Sequence, residues 1–231
     1  MAAALGWGAL AASSLVIGAL LGLARRWPDR LVGLVLAFGA GALISAVSFD
    51  LAEEGARLGG PGTLGVGLAA GAVTYYAASR ALERGGGDEA GPALALGAFL
   101  DGIPEQMVLG LGLAAGEGVG FGLLAAIFVS NLPEAIGSAS AMRAAGKRPG
   151  PIRRLWALIA VACALATVAG YALADITGGD LQAAIDGFAA GALLVLLVDS
   201  MIPEATSKAG RAGGLVTVLG FAVAAALSGV G

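Results

Sequence analysis

Two acids four residues apart, Asp101 and Glu105, flank Pro104 in the apolar stretch AFLDGIPEQMVLG, residues 98–110. A second stretch, VSNLPEAIGSAS, sets Ser130 and Asn131 ahead of Glu134, again with a proline, Pro133, directly before the glutamate. Helical residues at i,i+3 and i,i+4 share a face, so Asp101 pairs with Glu105, while Ser130 and Asn131 pair with Glu134. Each proline also removes an amide donor and frees the carbonyl four residues back, at Leu100 and Val129. Several oxygens can thereby converge. Two carboxylates in a dry site do not both stay ionised unless a cation shares it; otherwise one takes up a proton. A metal site or a proton relay is the chemistry these residues support.

Composition decides what must hold them. The chain has 231 residues, of which 58% are hydrophobic and 13% charged, and its mean hydropathy is +0.89. A soluble domain carries about 25% charged residues, and a chain this small has too little core to bury helices that are apolar all round. An integral membrane protein is expected, with the lipid bilayer as its surroundings and no nucleic acid as partner. The only thiol, Cys163, cannot form an intrachain disulfide. The N-terminal MAAALGWGAL lacks a basic leader region, so the first apolar segment is expected to stay as a span.

Runs of the length a bilayer requires occur near 6–24, 33–52, 62–81, 93–115, 119–143, 154–174, 182–203 and 213–230. Connectors such as RRWPDR and AGKRPGPIRR are short, so residues 1–231 read as one all-α transmembrane domain of eight helices. Of the 13 Lys and Arg, only Arg57 falls outside the connectors that follow odd-numbered helices. Basic residues stay cytoplasmic during insertion, which places both termini outside the cytoplasm, and a bacterial inner (plasma) membrane is the expected location.

An internal echo supports the count. FGAGALISAVSFDLAEEG from Phe38 and FAAGALLVLLVDSMIPEA from Phe188 share Phe, Ala-Gly-Ala-Leu and a glutamate at equal spacing, so that Glu54 matches Glu204. These segments, helices two and seven, would cross in opposite directions, as inverted repeats of transporters do. Carboxylates at membrane depth persist where they face a polar interior. By helix rise, Asp101 and Glu105 of helix four lie near the midplane, at the depth of Ser130, Asn131 and Glu134 of helix five. Helix two ends outward with Asp50, Glu53 and Glu54, and helix seven ends inward with Asp199 and Glu204, marking an entrance and an exit. The outer acids Glu117, Asp175, Asp180 and Asp186 are expected on solvated surface. Gly-x-x-x-Gly spacings such as Gly67 with Gly71 suit close helix packing and make a homodimer, a second copy of the chain, the expected partner.

The DGIPEQ of helix four, the NLPEAIG of helix five, the AGAL…DLAEEG of helix two and the AGALL…DSMIPEA of helix seven resemble the ZIP (Zrt/Irt-like) metal-ion transporters over nearly the whole chain. The resemblance implies a 3+2+3 inverted-repeat arrangement and a metal site between helices four and five. It implies metal ligation by Asp101, Glu105, Asn131, Glu134 and Asp199, with Glu204 on the exit path. It also implies a divalent ion (Zn, Mn, Fe or Cd) as substrate. The sequence departs from that pattern at Gly102, where the family carries a bridging ligand, in having no histidine, and in having no acid on helix six. Oxygen donors suit harder ions such as Mn²⁺, Mg²⁺ or Ca²⁺. Beside import of a divalent ion stand two other readings: a relative that binds metal as a sensor or partner subunit, and an intramembrane protease based on GGGD at 85–88. An enzyme is not expected.

Overall fold

A computed structural model describes residues 1–25, 27–84, 90–114, 121–174 and 178–228, the side chains at 82–83, 90–91, 101, 108, 121–126 and 228 excepted. The described residues are almost entirely helical and contain no strand. In chain order the helices are α1 (Ala2–Ala24), α2 (Asp29–Ser45), α3 (Glu54–Arg84), α4 (Ala90–Ala114), α5 (Phe121–Ala144), α6 (Pro149–Leu173), α7 (Gly179–Leu196), α8 (Ile202–Ala209) and α9 (Ala212–Ser228). A π-helical segment, Ala46–Glu53, joins α2 to α3, and a second, Leu197–Met201, joins α7 to α8. The GGGD at 85–88, Glu117 and Asp175 lie outside the described residues.

Among the described residues, five stretches are long and apolar enough to cross a bilayer: Ala2–Ala24, Asp29–Ala81, Pro92–Ala114, Pro149–Leu173 and Gly179–Ala209. With so many apolar helices the chain is a membrane protein. The Asp29–Ala81 stretch has 53 residues, and as one straight rod it would exceed twice the roughly 30 Å of a hydrocarbon core. It is instead two limbs. Gly60, at φ 76° and ψ 168°, breaks the rod in a backbone region open essentially to glycine alone, and Pro61 restarts it with a φ already suited to a helix.

The sequence echo recurs in three dimensions at one constant offset. The shift that carries Phe38 onto Phe188 carries the first π-helical segment onto the second, and Gly60 onto Gly210, which also has positive φ (59°). It also carries Gly41 onto Gly191. A Cβ at Gly41 would overlap the Thr217 carbonyl of α9, and one at Gly191 the Leu68 carbonyl of α3. Gly220 and Gly71 answer these contacts from the other side, against the carbonyls of Phe38 and Phe188. Only hydrogen fits where two backbones meet so closely.

The contacts also give direction. Along the first limb of α3, Gly55 meets Asp186 and Gly59 meets Ala183 and Asp180 of α7, so this limb is antiparallel to α7. Past the Gly60 corner, Leu64 meets Gly187 and Leu68 meets Gly191, so the second limb runs parallel to α7.

Backbone-to-backbone contacts fall within two groups. One joins α2 to α8 and α9, and α3 to α7; the other joins α1 to α5 and α6, and α4 to α6. The buried apolar residues divide along the same line. One cluster runs from Val32, Leu36 and Leu43 to Leu193, Leu197 and Met201, and the other joins Leu15, Ala98, Ala139, Trp156 and Cys163. Between the groups, side chains fill the seam: Pro133 over Gly39, Leu36 over Gly137, and Leu196 over Gly97.

Replacing Gly71 by Ala forces its methyl into the Phe188 carbonyl and costs about 1–3 kcal/mol. At Gly65, where nothing lies within 4 Å, the same change gains helix propensity. Thermal unfolding in detergent should show a lowered Tm for Gly71→Ala and an unchanged or raised Tm for Gly65→Ala.

Candidate metal centre

Helices α4 and α5 meet antiparallel: Glu105 of α4 lies beside Asn131 of α5, and Gly97 lies beside Glu134. Both prolines, Pro104 and Pro133, are accommodated inside continuous helices. The Asn131 side chain, 1% exposed, donates from Nδ2 to Glu105 Oε2 at 3.3 Å. Its other end, Oδ1, is buried with no hydrogen-bond partner. Glu134, fully buried, has neither carboxylate oxygen hydrogen-bonded. A Cβ at Gly97 would stand 3.0 Å from Glu134 Oε1 and would overlap Leu196. The glutamate therefore rests over a glycine of α4 with a leucine of α7 across the seam. Ser130 is buried one turn before Glu134 and donates to the Ile127 carbonyl at 3.1 Å.

The arrangement is acceptor-rich. Asn131 spends its donor end on Glu105, leaving the Asn131 and Glu134 oxygens, which can only accept unless a proton or cation arrives. A carboxylate with no partner in the interior is costly, and three orphaned acceptors on one face of α5 are chemically suited to a cation. Among the described residues no three His, Cys, Asp or Glu side chains converge; the Asp101 side chain is outside that set, and the donors of this site include the Asn131 amide and the Ser130 hydroxyl.

The other expected positions are dispersed. Asp199 is exposed within the second π-helical segment, and Asp50, partly buried, lies in the first. Glu54 and Glu204, the matched pair of the internal echo, are each engaged by a base from their own helix. Arg57 binds Glu54 in a forked pair, with Nε to Oε2 at 2.8 Å, and Lys208 Nζ lies 2.6 Å from Glu204 Oε1. Asp186 departs from the solvated surface expected of it. It is 1% exposed, its Oδ2 has no partner, and Gly55 and Leu64 cover it. An added Cβ at Gly55 would stand 3.3 Å from the Asp186 Cβ, so α3 and α7 run close together where the acid is buried. Asp180 is exposed, as expected.

Further contacts around the site involve residues not expected as ligands. Tyr75, fully buried on α3, donates to the Ala93 carbonyl of α4 at 3.2 Å and lies in electrostatic range of Glu134 and Asp199. Gln106, next to Glu105, accepts from Thr167 of α6 at 2.5 Å. Gly102 faces Cys163 of α6, whose Sγ would be 2.7 Å from an added Cβ. The signal for Tyr75 was present as a hydroxyl inside a span, but an aromatic near a helix end reads equally as an interfacial anchor.

No family model matches the chain, and no curated protein matches it.

Thr167 ties α6 to the residue beside Glu105. Thr167→Val leaves the buried Gln106 amide without its donor and costs about 1–3 kcal/mol, whereas Thr167→Ser keeps the bond. The Tm of the valine variant should fall and that of the serine variant should stay near the parent's.

Proposed function

We propose that the protein moves a divalent metal ion across the membrane toward the cytoplasm, through the carboxylate-rich crossing of α4 and α5. The observation that carries this reading is the buried set of acceptors without partners, Asn131 Oδ1 and both oxygens of Glu134, beside Glu105. A cation that enters and leaves accounts for oxygens that fixed protein donors do not satisfy. Asp101 would complete the set from α4, Ser130 would add a hydroxyl, and Asp199 would serve from the seam. Asp50, Glu54 and Glu204 would line the approach and the exit. With no histidine in the chain, an oxygen-dominated set favours harder ions, Mn²⁺ ahead of Zn²⁺.

The architecture in this reading is the eight-span, 3+2+3 inverted repeat of the ZIP-like resemblance, with both termini outside the cytoplasm and a bacterial plasma membrane as its place. Counting the two limbs of α3 separately, and joining α2 with the first limb and α7 with α8, gives helices of suitable number. The constant offset linking Gly60 to Gly210 and the two π-helical segments support the repeat, and the antiparallel run of Gly55 and Gly59 against Asp186 and Asp180 supports its inversion. Motion of one helix group against the other across the side-chain seam would open the site to each face in turn.

One observation favours a second reading, a metal-binding relative that does not transport. Cys163 fills the space beside Gly102 where the ZIP-like resemblance implies a bridging ligand. Saturable metal binding without flux would select it.

In proteoliposomes, Mn²⁺ or Cd²⁺ uptake should fall to background in Glu134→Gln and in Glu105→Ala. Undiminished uptake by Glu134→Gln, with the protein folded and inserted, would overturn the site, and absence of uptake by the parent chain would overturn the function.

A further inference from the structure

At the end of the bundle that carries nearly all the basic residues, a cavity of about 310 Å³ opens between the last turn of α1, the start of α2, the last turns of α5 and α8. Three cations from three separate elements line it: Arg25 after α1, Arg143 of α5 and Lys208 of α8. Asp29 is the single acid on its wall, and Trp27 and Ser140 complete the polar lining. These three cations outnumber the two acids beside them, Asp29 on the wall and Glu204 against Lys208, so the opening carries an excess of positive charge that attracts anions.

Each cation is held by one contact and keeps donors to spare. Arg143 donates from Nη1 to the Leu23 carbonyl, which leaves most of its five N–H groups. Lys208 lies 2.6 Å from Glu204, which engages one of three. The Arg25 guanidinium stacks over the Trp27 ring, 4.1 Å from its centroid, a contact that uses the face of the fork and not its N–H edge. Trp27 is itself fixed, its indole N–H donating to the Leu21 carbonyl at 2.8 Å. Two guanidinium forks and an ammonium around one hollow match a tetrahedral group with several acceptor oxygens. The volume is too large for a halide to contact all of them. The lone carboxylate, Asp29, is outnumbered by three cations in the lining, which disfavours a divalent cation there, so this cavity is separate from the acceptor-rich crossing of α4 and α5 and stands or falls independently of the transport reading.

We infer that this cavity is a binding site for a phosphate-bearing anion, either the headgroup of an anionic lipid or free phosphate. An indole beside basic side chains at a helix end is the setting in which membrane proteins take headgroups between helices. An occupant would also neutralise Lys208, the residue that holds Glu204, and so couple the cavity to the end of α8.

The test is calorimetric titration of the purified full chain in zwitterionic detergent with dihexanoyl phosphatidylglycerol, dihexanoyl phosphatidylcholine and inorganic phosphate. Saturable binding of phosphatidylglycerol but not of phosphatidylcholine or phosphate identifies a lipid headgroup; matching binding of inorganic phosphate identifies the free ion; both support the site. Arg25→Gln and Lys208→Gln should each weaken binding about fivefold, and Arg154→Gln, an exposed base of α6 outside the cavity, should leave it unchanged. Arg25 is exposed, so its variant keeps the fold even if Arg143→Gln, which frees the Leu23 carbonyl, does not. Absence of saturable binding by phosphatidylglycerol and phosphate alike, or an equal loss in Arg154→Gln, would overturn the inference.

Discussion

The structure turns on one constraint: the carboxylate of Glu134 is shut away from solvent and receives no hydrogen bond. In a protein interior, removing a carboxylate from water costs several kcal/mol even after relaxation, and lipid on the outside offers no relief. Everything around Glu134 is arranged to keep it there. A glycine on α4 makes room for it, Leu196 closes it from α7, and Asn131 turns its donor end toward Glu105 and not toward Glu134. A structural role would have been served more cheaply by a donor in Asn131's place aimed at Glu134. The arrangement instead preserves a local excess of hydrogen-bond acceptors.

Holding that excess in register requires stiff surroundings, and glycine supplies them. Where Gly41, Gly191, Gly71 and Gly220 press against facing carbonyls, helix axes come close enough for backbone atoms to pack without intervening side chains, and dispersion then acts along whole helices. Lipid tails supply no hydrophobic drive for helices to associate, so this fit, with the corners at Gly60 and Gly210, defines the group of α2, α3, α7, α8 and α9. The π-helical segments fall where the matched helices pass the level of Asp50 and Asp199. Such turns leave the backbone wider and are frequent at functional places.

Much of this was legible in the residues. Apolar run length located the helices, because a bilayer imposes a narrow range of lengths, and the corner between runs 33–52 and 62–81 fell at Gly60. Helix rise set Glu105 and Asn131 at one depth on two helices, and the structure has the two side chains in hydrogen-bond contact. The failures were of two physical kinds. Asp186 was assigned to solvent because hydropathy reports how deep a residue lies in the sequence run, not how closely a glycine lets the next helix approach. Tyr75, Gln106 and Thr167 were passed over because a hydrogen bond between distant helices leaves no periodic trace. The extra residue of each π-helical turn is equally silent, since it alters where later side chains point without altering composition.

The division of close contacts has a consequence for how the protein tolerates change. Inside either group, a single added methyl at a glycine has to be answered by shifting an entire rod, and every neighbour that rod touches. Along the seam, Leu36, Leu196 and Pro133 meet glycines only through their flexible or compact ends. There the surroundings of the buried acid can be resized one branch at a time, so a substitution at these residues disturbs Glu134 less than a methyl added between two closely packed backbones.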